Sequence, residues 1–98
     1  MSSKIGFIAG GGSLPFIAAK NAKEMGFSVF VAGFKNITDK NSFEPISEKY
    51  MEFRIGEIGG VLKFFKENSV NKIILLGHVS HINVFRDIKP DLKGILFL

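Results

Sequence analysis

The sequence predicts an α/β domain built on a mostly parallel sheet of about four strands, with flanking helices in a three-layer arrangement. Short apolar runs alternate with segments of helical spacing in the order β-α-β, connection, β-α-β, and such alternation is typical of right-handed crossovers. The second and fourth runs are almost wholly apolar, as in strands covered on both faces. The chain of 98 residues is long enough for one domain. We therefore expect residues 1–98 to form a single Rossmann-like domain.

The first half of the chain predicts a strand, a helix and a second strand. The first strand covers residues 4–9, and Gly10-Gly11-Gly12-Ser13 breaks it. A helix is predicted over residues 14–25, with Ser13 as its N-cap and Gly26 at its C-terminal end. Residues 27–33 form the second strand. The side chains predicted to face the core share one helical stripe: Leu14, Ile17, Ala18, Ala22 and Met25.

The second half repeats this pattern after a polar connection over residues 34–49. A third strand is predicted over residues 50–55. The glycine-rich turn 56–60 then opens a helix that runs to about residue 68, and residues 70–77 form the fourth strand. Residues 78–89 are predicted to be irregular or a short helical turn, and residues 90–98 to begin another helix. The apolar stripe of the second long helix is Ile58, Val61, Leu62 and Phe65.

Two glycine-marked turns are predicted to meet at one edge of the sheet. If the strands are ordered 3-2-1-4, the carboxyl ends of strands one and four are neighbours at the point where ligands bind in open α/β sheets. These ends carry Gly10-Gly11-Gly12-Ser13 and Gly77-His78. The sequence therefore predicts a substrate-binding crevice, and the residues assigned to it are Gly10, Gly11, Gly12, Ser13, Leu14, Gly77 and His78.

The first glycine turn has the chemistry of a phosphate site. A helix N-terminus offers free N–H groups and partial positive charge, and glycine lets a phosphate approach the backbone. The dinucleotide pattern fails, because Pro15 stands where its third glycine belongs and Gly33-Phe34 replace the acid after strand two. The phosphate-loop pattern fails as well, since no Gly-Lys-Ser/Thr follows. A tight turn without a ligand is the alternative, and it is stronger for the turn 56–60.

Composition and charge narrow the classes of function. The chain has no cysteine, which excludes disulfides and thiolate metal sites. No apolar run reaches the ~20 residues that span a bilayer. The net charge is +4, but the lysines are scattered among acids, so no nucleic-acid partner is predicted. His78 and His81 lack further metal ligands nearby, and no carboxylate pair or Ser/His/Asp set is visible. We therefore assign no catalytic and no metal-binding residue.

Four motifs resemble, in this order, the N-terminal domain of the LpxI-type UDP-2,3-diacylglucosamine pyrophosphatases. They are the run Ile8-Ala9-Gly10-Gly11-Gly12-Ser13-Leu14-Pro15, the pair Gly56-x-x-Gly59, the turn Leu76-Gly77-His78-Val79 and Lys89-Pro90-Asp91. The first is fairly specific and the others support it by their order. After the turn Leu76-Gly77-His78-Val79, the family pattern has a basic residue followed by proline, whereas this chain has His81-Ile82.

The resemblance implies a step of lipid A biosynthesis in Gram-negative bacteria: hydrolysis of UDP-2,3-diacylglucosamine to UMP and lipid X with a divalent metal, typically Mg2+. It implies a missing C-terminal domain that carries the catalytic residues and the metal site, so the chain alone is expected to bind substrate weakly without turnover. A cytoplasmic location is implied, with peripheral contact to the inner membrane and a homo-oligomer left open. A non-catalytic nucleotide-binding or regulatory module, an NAD-dependent oxidoreductase domain and a protein-interaction domain are the alternatives.

Overall fold

The computed structural model describes residues 3–77 and the backbone of a strand at residues 95–97. The strands are β1 (Lys4–Ala9), β2 (Ser28–Phe34), β3 (Lys49–Phe53), β4 (Lys72–Leu76) and β5 (Ile95–Phe97). The helices are α1 (Leu14–Glu24), α2 (Lys40–Phe43) and α3 (Ile58–Glu67), and a 3-10 turn (Glu44–Ile46) follows α2 directly.

The strands form one sheet in the order β3-β2-β1-β4-β5. The pairs β1–β2, β1–β4 and β2–β3 are parallel, whereas β5 runs antiparallel to β4. The predicted α/β class and the predicted order of the first four strands are both confirmed. Because β1 lies between β2 and β4, the carboxyl ends of these three strands are neighbours at one edge.

The prediction of a helix over residues 90–98 is wrong for the part that the structure describes. Residues Ile95–Phe97 form β5, whose Ile95 pairs with Ile74 and whose Phe97 pairs with Lys72. An apolar run this short fits a strand as well as a helix, and the open backbone edge of β4 decides between them by offering hydrogen-bond partners. The predictions for residues 78–94, including those for His78 and His81, lie outside the described residues.

Apolar side chains pack on both faces of the sheet, as the uninterrupted runs predicted. Alternate residues of β2 point to opposite faces: Val29 and Val31 belong to the cluster under α1, and Phe30 and Ala32 to the cluster under α3. On α3, Val61 and Phe65 are buried and Ile58 and Leu62 pack beside them, which confirms the predicted stripe. Phe64, which the prediction omitted, is buried too.

The stripe predicted for α1 is mostly wrong. Leu14, Ile17 and Met25 are 55%, 50% and 75% exposed. The buried residues of α1 are Pro15, Ala19 and Ala22, of which only Ala22 was predicted. Ala18, which was also predicted, is partly buried and packs against the same cluster. Their spacing of four and three residues is as helical as that of the predicted stripe, so periodicity does not distinguish the two faces. The small alanine side chains let the helix lie close to β1 and β2, leaving the larger Leu14 and Ile17 outside.

Candidate functional site

The glycine turn after β1 carries backbone N–H groups that have no partner in the described part of the chain. Gly10 N–H donates to Leu76 O at 2.8 Å, and Ile17 N–H donates to Ser13 O at 3.1 Å. Between these bonds, the N–H groups of Gly12, Ser13 and Leu14 make no hydrogen bond within the described part of the chain. Ser13 holds the predicted N-cap position, yet its side chain makes no capping bond. Within residues 3–77, these donors therefore have no competing partner and can meet an anion.

Gly77, at the end of β4, lies directly against this turn. Its φ is +101°, a conformation that favours glycine. A methyl group on Gly77 would lie 2.8 Å from Gly10 C, from Gly11 O and from Pro15 Cγ. The structure thus brings Gly77 into contact with the glycine turn after β1, and Pro15 packs beside both. His78 lies outside the described residues, and substrate binding by this set of residues stays a prediction.

A groove of about 330 Å³ opens beside the glycine turn, toward β2 and the connection that follows it. Among the predicted residues, Gly10, Gly12 and Ser13 line it, whereas Gly11, Leu14 and Gly77 do not. Side chains from the connection form the opposite wall. The lining residues are Gly10, Gly12, Ser13, Phe16, Ile37, Asp39, Ser42 and Phe43. The groove therefore lies at the ends of β1 and β2. The crevice that the sequence predicted between β1 and β4 includes His78, which lies outside the described residues, so it stays a prediction.

Thr38 links the two walls of the groove, which are the glycine turn after β1 and residues 37–43 of the connection. Its hydroxyl accepts a hydrogen bond from Phe34 N–H at 2.8 Å and donates one to Ala9 O at 2.5 Å. Ala9 is the last residue of β1, immediately before the glycine turn. One side chain thus links the ends of β1 and β2 and sets the distance between the two walls.

Asp39 stands next to Thr38 and caps the short helix α2. Its Oδ1 accepts a hydrogen bond from Asn41 N–H at 3.2 Å, and its Oδ2 accepts one from the Ser42 hydroxyl at 2.7 Å. An ionised carboxylate offers about four lone-pair sites, so these two bonds leave acceptor capacity on the groove side. Asp39 is exposed, and so a ligand in the groove can reach it.

Aromatic rings pack behind the groove. Phe16 of α1 meets Phe43 of α2 edge to face, with ring centroids 5.8 Å apart. Phe43 in turn stacks on Tyr50 of β3 at 6.2 Å. The Tyr50 hydroxyl is buried against Gly33 and has no hydrogen-bond partner among the described residues. Burial raises the pKa of Tyr50 to about 12, and the charges of nearby carboxylates, that of Glu52 first, add to this rise.

The sequence interpretation missed the wall formed by residues 37–43, because it treated residues 34–49 as a plain connection. Two signals could have found it. Asp39 precedes Lys40–Phe43 as an N-cap residue precedes a helix. In addition, a segment that leaves β2 must start at the same edge as the glycine turn after β1, since the strands are parallel.

The turn at residues 56–60 has a structural explanation. Gly56 has a φ of +104°, Arg54 N–H donates to Glu57 Oε1 at 2.7 Å, and Glu57 N–H donates to Arg54 O at 3.1 Å. The turn does not contribute to the groove. A larger cavity, of about 620 Å³, lies near the far end of α3, where Leu62, Lys66 and Val70 line it. That cavity is away from the carboxyl ends of the strands, where ligands bind in this type of fold.

The described residues do not offer a metal site or a membrane span. Within residues 3–77, no three His, Asp or Glu side chains come together in a group that could hold a metal ion. The described residues therefore do not form a site for the Mg2+ that the resemblance implies for the longer enzyme, and we derive no step through it. None of the helices in the described ranges is long and apolar enough to cross a bilayer.

Comparison with known proteins agrees with the motifs around the groove. The family model described as the LpxI N-terminal domain matches residues 4–98. The UDP-2,3-diacylglucosamine pyrophosphatase LpxI of Caulobacter vibrioides is 29% identical over 97 residues, which are 97% of this chain. The chain spans about a third of that relative, 32% of its length. The matched region includes both glycine turns and the whole described fold. The chain therefore belongs to the family of LpxI N-terminal domains.

Proposed function

We propose that this chain is the substrate-binding domain of a UDP-2,3-diacylglucosamine pyrophosphatase acting in lipid A biosynthesis, and that it holds the substrate's diphosphate at the glycine turn. The observation that carries the proposal is the set of N–H groups at Gly12, Ser13 and Leu14, at the N-terminus of α1, which have no hydrogen-bond partner among the described residues. Family membership supplies the reaction, since the relative in Caulobacter vibrioides bears that name.

The turn is suited to a diphosphate for two physical reasons. The N-terminus of a helix carries a partial positive charge equivalent to about half an elementary charge, which favours anions. Gly12 has no side chain, and a Cβ at that position would have no atom within 4 Å, so the space above the backbone is open. The backbone N–H groups can therefore approach phosphoryl oxygens directly and stabilise their charge.

The chain's role under this proposal is to bind and orient the substrate and not to supply the catalytic groups. The described residues contain no cluster of acids that could hold a metal ion, and the chain spans 32% of the relative's length. We assign the hydrolytic residues, Mg2+ and any contact with the membrane surface to the remaining part of such an enzyme.

A matched pair of variants at Gly12 tests the proposal in the full-length protein. Gly12→Asn and Gly12→Asp both place a similar side chain at a φ of +91°, which Asn and Asp tolerate better than most residues. They differ only in charge. We expect Gly12→Asp to weaken UDP binding at least tenfold beyond Gly12→Asn, because a carboxylate next to the diphosphate repels it by more than about 1.4 kcal/mol. Equal UDP affinities for the two variants would contradict the proposal.

A protein-interaction role is a second candidate, supported by the exposed apolar residues of α1. Leu14 and Ile17 lie one helical turn apart and are both at least half exposed, although exposed apolar groups also occur singly on ordinary surfaces. Leu14→Ser together with Ile17→Ser distinguishes the two candidates. Loss of a complex in light scattering with unchanged UDP binding favours the interaction role for this face.

A further inference from the structure

We propose that the groove between the glycine turn and residues 37–43 binds the nucleoside half of the substrate, with Asp39 accepting a hydrogen bond from a ribose hydroxyl or from the base. This inference rests on the proposed function, because it takes a nucleoside diphosphate as the ligand. It assigns to the groove one particular part of that ligand.

The position of the groove favours a group attached directly to the diphosphate. Gly12 and Ser13 both line the groove and belong to the turn that offers free N–H groups. A phosphate bound at this turn can therefore place its next substituent in the groove. Gly77 packs closely against Gly10 and Gly11 on the other flank of the turn. Among the described residues, the open space beside the turn is the groove that Asp39 lines.

The negative charge of Asp39 limits which chemical groups can occupy the groove. Asp39 is exposed and its carboxylate repels phosphate oxygens, so the group beside it must be neutral and must donate hydrogen bonds. Ribose hydroxyls and the N–H of a pyrimidine base meet this condition. The two bonds that Asp39 already accepts, from Asn41 N–H and the Ser42 hydroxyl, hold its carboxylate in one orientation. A carboxylate held in this way loses little side-chain entropy when it accepts a further bond.

Size and apolar surface also favour a nucleoside. The groove has a volume of about 330 Å³, at the lower end of the range of about 300–1,000 Å³ found for small-molecule pockets. Such a volume suits a base and a ribose, whereas two long acyl chains need a much longer apolar channel. Phe16 and Ile37 line the groove and are partly buried, so they supply the apolar surface against which a planar base packs.

The experiment uses isothermal titration calorimetry to measure the affinities of the full-length protein for three probes. The probes are UMP, glucosamine 1-phosphate and inorganic pyrophosphate. The test variant is Asp39→Ser, because serine also caps helices but its side chain is too short to reach into the groove. The matched control is Glu44→Gln, which removes a carboxylate of the same connection that does not line the groove.

We expect Asp39→Ser to weaken UMP binding about tenfold, as loss of a hydrogen bond to a charged group does, and to change the affinities for pyrophosphate and glucosamine 1-phosphate less than twofold. Glu44→Gln leaves all three affinities within twofold of the wild type. If Asp39→Ser weakens UMP no more than Glu44→Gln does, or weakens glucosamine 1-phosphate in place of UMP, the assignment of the groove to the nucleoside is wrong.

The outcomes separate this inference from the proposed function. If Gly12→Asp lowers pyrophosphate affinity and Asp39→Ser has no effect on UMP, the proposed function holds and the nucleoside assignment fails. If the wild type binds neither pyrophosphate nor UMP, both fail. Should Asp39→Ser not fold by far-UV circular dichroism, Ser42→Leu takes its place, since a leucine there fills the groove from its rim. We then expect loss of UMP affinity with pyrophosphate affinity retained, and unchanged UMP affinity overturns the inference.

Discussion

Replacement of Gly77 by alanine tests the contact between the two glycine turns. Gly77 has a φ of +101°, and an added methyl group would lie 2.8 Å from atoms of Gly10, Gly11 and Pro15. Two of these three atoms belong to the backbone, so the neighbours cannot move aside as the end of a flexible side chain would. We therefore expect Gly77→Ala to destabilise the domain through backbone strain and overpacking together.

The two contributions can be separated with a matched glycine. The left-handed conformation costs a non-glycine residue about 1–2 kcal/mol, and overpacking in a tight site typically costs about 1–3 kcal/mol. The total of about 2–5 kcal/mol is a large share of the roughly 5–15 kcal/mol by which a domain is stable. Gly26 has a φ of +98° but open space around it, so Gly26→Ala carries only the conformational cost.

The assay is thermal and urea unfolding of both variants and the wild type, followed by far-UV circular dichroism. For a domain of this size about 1 kcal/mol corresponds to roughly 4–8 °C in Tm, so we expect Gly77→Ala to lower Tm by about 8–40 °C and Gly26→Ala by about 4–16 °C. The unfolded-state entropy that alanine removes is the same in both variants and cancels in their comparison. Equal losses of stability would refute the close contact of Gly77 with the first turn.

Four further predictions concern Thr38, Tyr50 and α3. Thr38→Val removes the hydrogen bond to Ala9 O, so we expect a loss of about 1–2 kcal/mol in urea unfolding, whereas Thr38→Ser keeps the hydroxyl and loses less; equal losses would contradict the role of this bond. Tyr50→Phe removes a buried hydroxyl that has no partner in the described residues, so its stability at pH 8 is expected to equal or exceed that of the wild type, and a loss above about 1 kcal/mol would show that the hydroxyl is bonded. Because the pKa of Tyr50 is raised from 10.0 to about 12 in the folded state, the unfolded chain releases the proton first, so the wild type loses stability between about pH 10 and 12 relative to Tyr50→Phe; parallel pH profiles would count against the raised pKa. Gly59 lies in α3 with nothing near its missing side chain, so Gly59→Ala is expected to raise stability by about 0.5–1 kcal/mol, and a lowered Tm would show that this space is occupied.

The sequence by itself determined the fold class and the position of the glycine turns, and it favoured the order of the first four strands. Apolar runs and helical stripes depend on local periodicity, and the β-α-β connections leave few orders for parallel strands. The turn at residues 10–13 was visible because consecutive glycines have a conformational meaning of their own. The prediction that these residues bind a phosphate rests on the same local chemistry.

Only the tertiary structure decided which face of α1 is buried, what residues 95–97 form and where the groove opens. Pro15, Ala19 and Ala22 are buried because small side chains let α1 approach the sheet, and periodicity alone does not rank that stripe against its neighbour. Residues 95–97 form a strand because β4 offers a free edge. The second wall of the groove depends on the Thr38 hydroxyl reaching Ala9, a contact across 29 residues. Such contacts are set by packing between elements, which a local pattern does not encode.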